Sequence, residues 1–175
     1  MNLFGRCLWL LLKRLFCRKK LDLFEACDTR FRVNPLDLDL NFHMNNGRYL
    51  SLMDLGRFDL MAQAGIFLKL FSKKYYPVVM SESIHFRKSL GLGQGFVLRT
   101  VIDSWEGKDF YIRQTFLVGN EVYAEGFIKG RFKQRGRRGS VPVSEIFAQI
   151  GDQRPGKPLS DLARAQVTVE DLLAQ

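Results

Sequence analysis

From residue 28 onward the apolar and polar positions change period several times. Residues 28–33 read as a short strand, ended by Asn34-Pro35, a pair that favours extended or turn backbone. Residues 37–46, DLDLNFHMNN, then alternate strictly: Asp37, Asp39, Asn41, His43 and Asn45 are polar, with Leu38, Leu40, Phe42 and Met44 between them. From Asn46 the period lengthens to that of a helix, NGRYLSLMDLGRFDLMAQAG. Its apolar positions (Tyr49, Leu50, Leu52, Met53, Leu55, Phe58, Leu60, Met61 and Ala64) cover more than one stripe. A helix of that kind is expected to be buried on most of its circumference, with Arg48, Ser51, Asp54 and Arg57 needing polar partners. Asn45-Asn46 supply its cap and Gly65 its stop.

Alternation of period two returns over 76–86, 96–105, 110–118 and 122–132. Turn-formers separate these segments: GLGQG at 91–95, EGKD at 106–109, and Gly119-Asn120, a two-residue hairpin signal. On the last segment Val122, Ala124, Gly126, Ile128, Gly130 and Phe132 share one face, and its small residues suit close approach by a helix. The fold class is α+β: one long central helix wrapped by an antiparallel sheet of about five strands. After Gln134 the chain turns basic and glycine-rich, then shows short helical patterns near 143–149 and 159–173. Three regions follow: an amphipathic segment at 1–24, the domain at 25–135, and a basic, helical extension at 136–175.

The first twenty residues, MNLFGRCLWLLLKRLFCRKK, are too short in their apolar run for a bilayer span and lack a cleavage site. On a helix Leu8, Leu11, Leu12, Leu15 and Phe16 share a face, with Trp9 at its boundary and bases around it. Two readings follow, an interfacial membrane helix and a helix packed on the protein itself, and the pattern favours the first. A membrane surface is therefore an expected partner. Charge sharpens the picture, because much of the net +9 comes from this segment and from residues 129–138, each without an acid. Bases and aromatics are not interleaved over one surface, so no nucleic acid is expected. Three cysteines, all early in the chain, form no disulfide framework and point to a reducing, cytoplasmic setting, peripheral on a membrane if residues 1–20 bind one.

DLDLNFHMNN has several chemical rivals. As a calcium loop beginning at Asp37 it would put Phe42 where glycine must turn and Arg48 where a bidentate glutamate is needed. As a zinc site it lacks paired ligand spacing, so no metal is expected and no cofactor. GLGQG lacks dinucleotide spacing, and no G-x-S-x-G elbow exists. Capping explains the asparagines but not an aspartate, an asparagine and a histidine at period two before the cap. Such a set on one side of an extended segment, running into a helix N-terminus, suits acyl transfer. Amides there can hold an oxyanion while a carboxylate attacks or activates water.

The pattern D37-x-D39-x-x-x-H43-x-N45-N46-x-x-Y49, followed by Asp54 and Arg57, resembles the 4-hydroxybenzoyl-CoA thioesterase branch of the hotdog superfamily. D39-L-N41-F-H43-M-N45-N46 is similar to the motif of plant acyl-ACP thioesterases as well. The resemblance spans about residues 25–135 and implies a hotdog fold whose subunits pair their sheets, as a homodimer or a dimer of dimers. It also implies hydrolysis of an acyl-CoA or acyl-ACP thioester. By position Asp39 becomes the nucleophile or general base, with Asn41 and His43 assisting. Asn45 and Asn46 would lie at the substrate end of the helix, and His85 has no counterpart role. Arg87, Lys129 and Arg131 are the cations expected to meet carrier phosphates, on charge alone. Two departures stand out. Phe42 replaces a frequent glycine, and the glutamate–cysteine pair proposed for the plant enzymes is missing. The competing class is a non-catalytic hotdog dimer that binds acyl groups or membrane partners.

Overall fold

The computed structural model describes residues 5, 6, 10, 21–152, 154 and 157–173. Five strands, β1 (Cys27–Arg32), β2 (Tyr75–Phe86), β3 (Gly95–Glu106), β4 (Asp109–Val118) and β5 (Glu121–Gln134), form one antiparallel sheet in the order β1-β3-β4-β5-β2. Its helices are α1 (Asn46–Gln63), α2 (Phe67–Ser72), α3 (Val143–Ile150) and α4 (Asp161–Leu173), with a 3-10 turn at Pro35–Asp37. The strands and the long helix fall where the periodicity puts them, to within a residue or two at their ends. The short α2 has no such signal: it is a single apolar-basic turn and a half, FLKLFS, between Gly65 and Lys74, both at positive φ.

The chain divides into two compact units. The first comprises residues 1–65, 84–101 and 114–126. Here α1 buries Tyr49, Leu52, Met53, Leu55, Gly56, Asp59 and Leu60. Leu50 and Phe58 stay partly exposed beside Asp54, because positions 50, 54 and 58 recur every fourth residue along another row of the helix. Burial is thus less complete than the sequence suggested. Contact with the sheet is close at Gly56, where an added Cβ would lie 2.8 Å from Gln114 Nε2, Leu98 Cδ2 and Thr100 Oγ1. Gln114 uses that proximity: its Nε2 donates to the Met53 carbonyl at 3.0 Å and to Thr100 Oγ1 at 2.9 Å. Its Oε1 accepts from Arg57, which also pairs with Asp54. Around them Tyr49 meets Phe86 edge-on and Phe116 at a tilt, with ring centroids 5.0 and 4.9 Å apart.

The second unit comprises residues 66–83, 102–113 and 127–175. One expectation changes here. The space at Gly130 is filled not by a helix but by the Phe110 ring, whose atoms would lie 2.3–3.0 Å from an added Cβ. The stretch expected to be a C-terminal extension packs into this unit. Trp105 meets Phe147 of α3 edge-on at 4.9 Å. Ala163 of α4 is buried against Tyr111 and Phe127, flanked by Leu159 and Val167. Polar contacts tie the same helix down: Ser160 donates to Asp103, Ser81 to Glu170, and Lys129 pairs with Glu170.

Of the N-terminal segment, Gly5, Arg6 and Leu10 are described. Leu10 is buried, and Arg6 donates to the Arg32 carbonyl at 3.1 Å and to Asp37. The apolar face expected at Leu8, Leu11, Leu12, Leu15 and Phe16, and Trp9 beside it, lie outside the described residues. No helix among the described residues is long and apolar enough to cross a membrane.

Burial pushes the Glu170 carboxyl up, but its bonds from Lys129, Ser81 and Gln166 outweigh this and hold it below the ordinary value of 4.5. A carboxyl lowered on folding stabilises the native state above its unfolded pKa, and that stability drains as pH falls through the folded value. Glu170→Gln should therefore cost about 1–3 kcal/mol near neutral pH, measured by urea unfolding, and the penalty should shrink as pH falls below 4.5 and through the lowered folded value. Hydrogen exchange should quicken in α4 first. A penalty that is unchanged in acid would contradict the ion pair's role.

Candidate active site

The alternating stretch does not run on as an extended segment, as its period suggested. It folds back on itself. Leu38 and Met44 pair as an antiparallel bridge, the Asp39 N–H donates to the His43 carbonyl at 2.9 Å, and the Phe42 N–H donates to the Asp39 carbonyl at 3.1 Å. The reversal is made at Phe42, which takes φ 59, in the left-handed region that a bulky residue seldom enters. This is the position where the resemblance leads one to expect glycine, and the turn explains the expectation.

Because the chain reverses there, two backbone N–H groups point at one carboxylate. Asn41 N–H donates to Asp39 Oδ1 at 2.8 Å and His43 N–H at 3.3 Å. Asp39 Oδ2 takes no hydrogen bond among the described residues. Asp39 is half-buried, while Asn41 and His43 are exposed. The three predicted catalytic residues therefore come together on one turn. It is the backbone of Asn41 and His43, rather than their side chains, that holds Asp39.

Asp37, two residues earlier, has the opposite environment. It is 1% exposed and accepts from Arg6 and from the Asn34 N–H, at 3.0 Å for the latter, with Arg48 3.9 Å away. Its carbonyl accepts the Asn45 N–H at 2.8 Å. With one carboxylate committed to arginines and the other to amides, the pair does not converge as calcium ligands would. Asn45 Oδ1 accepts the Gly47 N–H at 2.9 Å, so the side chain expected at the substrate end is occupied as the cap of α1. Asn46 is the first residue of α1 and is exposed. Arg48 donates to the Leu36 carbonyl at 3.0 Å, fastening the turn to the helix.

The expected phosphate contacts fare differently. Arg87 is half-exposed, with Glu125 at 3.4 Å, and belongs to the first unit with Asp39. Lys129 and Arg131 belong to the second. Burial lowers the Lys129 ammonium, but bonding to Glu170 and attraction from Asp109 outweigh it and leave it raised. Arg131 holds Asp109 with two nitrogens. Both cations are tied to acids more closely than Arg87 is to Glu125, and Lys129 is buried besides, which weakens the ground for assigning them to phosphate. His85 sits in β2 outside the turn. Arg6 and Gln114 went unnoticed in the sequence. Gln114 alone carried a signal, as a polar residue on the face of β4 that otherwise carries Phe110, Ile112, Phe116 and Val118.

A long helix held against a five-stranded antiparallel sheet ordered β1-β3-β4-β5-β2 defines the hotdog class of fold. Solved structures agree. The probable thioesterase YbaW of Escherichia coli superposes with a TM-score of 0.66 at 20% identity, covering 71% of this chain and 96% of its own. BH1999 gentisyl-coenzyme A thioesterase gives 0.62 at 20%, covering 69% and 98%. SAV2348 of Staphylococcus aureus, solved in complex with CoA, gives 0.65 at 17%, covering 81% and 94%. The model of the Thioesterase-like superfamily matches residues 33–151, and the chain belongs to that family. Among curated relatives, Protein THEM6 of Danio rerio is 40% identical over 125 residues, which are 71% of this chain and 60% of that protein. Protein THEM6 of Xenopus laevis is 35% identical over 99 residues, 57% and 48% respectively. The match thus spans about half to three-fifths of those two relatives.

Two substitutions separate the roles within the turn. Asp37→Asn should lose about 2–4 kcal/mol of stability, since it strands guanidinium groups against a buried neutral side chain. Phe42→Gly should gain about 0.5 kcal/mol, because strain at positive φ is relieved at little loss of burial. Chemical unfolding measures both. A loss above about 1 kcal/mol for Phe42→Gly would mean the phenyl ring packs where the structure leaves it exposed.

Proposed function

We propose that the chain hydrolyses acyl thioesters of the CoA type, with Asp39 as the catalytic carboxylate. The observation that carries this reading is the Asp39 turn. Two amides fix Oδ1, Oδ2 stays open, and the chain enters the N–H-rich start of α1 within seven residues. In the general-base form, Oδ2 takes a proton from water as the water oxygen adds to the thioester carbonyl. The tetrahedral oxyanion is stabilised by the positive end of the α1 dipole. It then collapses, the C–S bond breaks, and the thiolate leaves with the proton returned by Asp39. In the nucleophilic form the same oxygen attacks the carbonyl, the C–S bond breaks to expel the thiolate, and water then cleaves the anhydride to release the acid and restore the Asp39 carboxylate. Exposed Asn41 and His43 flank the reacting atoms, and Arg87 is the remaining candidate for a carrier phosphate.

Family membership and a CoA-bound neighbour support a CoA thioester over an ACP thioester. A homodimer fits the same reading. β2 is twelve residues long, lies at the edge of the sheet and exposes Tyr76, Val79, Met80 and Phe86. An unpaired edge of that length is a template for strand addition, and a second copy would satisfy it. The confinement of all three cysteines to the first 27 residues accords with a cytoplasmic setting.

Thiol release from a panel of acyl-CoA and acyl-ACP thioesters tests the reading. Asp39→Asn should lower turnover at least about 100-fold with an unchanged unfolding midpoint. Equal activity in the variant would sink the assignment of Asp39. Acyl-CoA binding without thiol release from the parent would instead establish the non-catalytic acyl-binding dimer.

A further inference from the structure

Leu36, Leu40, Phe42 and Leu92 are 69, 98, 77 and 59% exposed. They do not lie scattered. Leu36 sits on the 3-10 turn, Leu40 and Phe42 on the reversal at Asp39, and Leu92 on the turn between β2 and β3. These turns are bonded to one another. His43 bridges Gly91, the Met44 N–H donates to the Leu90 carbonyl at 2.8 Å, and Val33 exchanges bonds with Gly93 and Gln94 at 2.9 and 3.0 Å. A single exposed leucine is ordinary, but four large apolar tips on one set of linked turns are not.

Guanidinium groups accompany them. Arg32 donates to the Gly93 carbonyl at 2.9 Å, whereas Arg48 and Arg6, which donate to the Leu36 and Arg32 carbonyls, also pair with Asp37. The acids in the cluster are withdrawn, Asp37 fully and Asp39 by half. Arg6 also brings the start of the chain to this end of the unit. That segment, residues 1–20, carries six bases and no acid among its leucines.

We propose that these turns are the surface by which the chain docks on a lipid bilayer bearing anionic headgroups, so that Asp39 opens at the lipid. The proposal does not depend on thioester hydrolysis. Exposed apolar tips suit insertion among acyl chains, with Arg32 meeting phosphates at headgroup level. A second copy is a poorer occupant. Among the described residues the turns offer no unpaired strand edge such as β2 has.

The test is sedimentation of the purified full chain with vesicles of phosphatidylcholine, with and without phosphatidylserine. The parent should bind, and better with phosphatidylserine. Leu40→Ser combined with Leu92→Ser should lower partitioning at least about 10-fold with unchanged circular dichroism, and Arg32→Gln should weaken only the phosphatidylserine-dependent part. As a second readout, Leu40→Trp should be quenched by brominated lipid. No vesicle binding by the parent, or parent-like partitioning of the double variant, would overturn the proposal. So would a drop in assembly mass of the double variant without change at the vesicle, which would make the cluster a contact between copies. An unquenched Leu40→Trp would refute it as well.

Discussion

The buried carboxylate of Asp37 is the constraint on which the site depends. A carboxylate at 1% exposure is tolerable only with charged or N–H partners, and it draws them from three stretches of chain: Arg6, Asn34 and Arg48. Through Arg48 it is tied to α1, and through its own carbonyl to Asn45, the cap of that helix. The segment between Asp37 and Asn45 is then clamped at both ends, which leaves seven residues to reverse direction and return. Phe42 absorbs the geometry at positive φ, and the amides of Asn41 and His43 turn toward Asp39 as a consequence. Two aspartates two residues apart thus divide the work: the first anchors the loop, and the second is presented by it.

The same division explains what the sequence could say about this site. Residue types and spacing singled out Asp39, Asn41 and His43, and they do share a turn. Strict alternation suggested an extended segment, because period two is the signature of a strand. Nothing local indicates a reversal when glycine is absent from it. Backbone donors carry no residue signature, so the part of the site supplied by the Asn41 and His43 amides was invisible. Asp37 could be read as structural only by elimination, since its main partner lies thirty-one residues away at Arg6.

For the fold, long elements were legible and contacts between them were not. Alternation marks β2 to β5 because each has faces of different character, and the 49-52-53-56-60 row marks α1. Small residues on β5 were read as room for a helix, yet at Gly130 that room belongs to the Phe110 ring of the neighbouring strand. The close helix–sheet approach occurs at Gly56, a glycine within α1 itself. A small residue announces that something comes near and does not say what. In the same way the helical pattern of α4 was visible, but its place on the sheet rests on Tyr111, Phe127, Lys129 and Ser81, scattered along other elements.

Charge is where sequence reading and structure diverge most. The two basic runs look equivalent in a list of residues, each six bases without an acid. In the folded chain much of the second is spent: Lys129 goes to Glu170 and Asp109, Arg131 to Asp109, and Arg137 to Glu145. The Glu170 pair binds α4 to β5, the Asp109 pairs join β4 to β5, and the Glu145 pair binds α3 to the segment after β5; their charge cannot also be counted toward an anionic partner. At the Asp39 end, by contrast, Arg32 donates to the Gly93 carbonyl, which fixes a guanidinium without cancelling it. A cation held in place by a neutral oxygen keeps its field for something outside the protein. Whether a basic residue is structural or interactive therefore turns on the charge of its acceptor, and the order of residues along the chain does not record that.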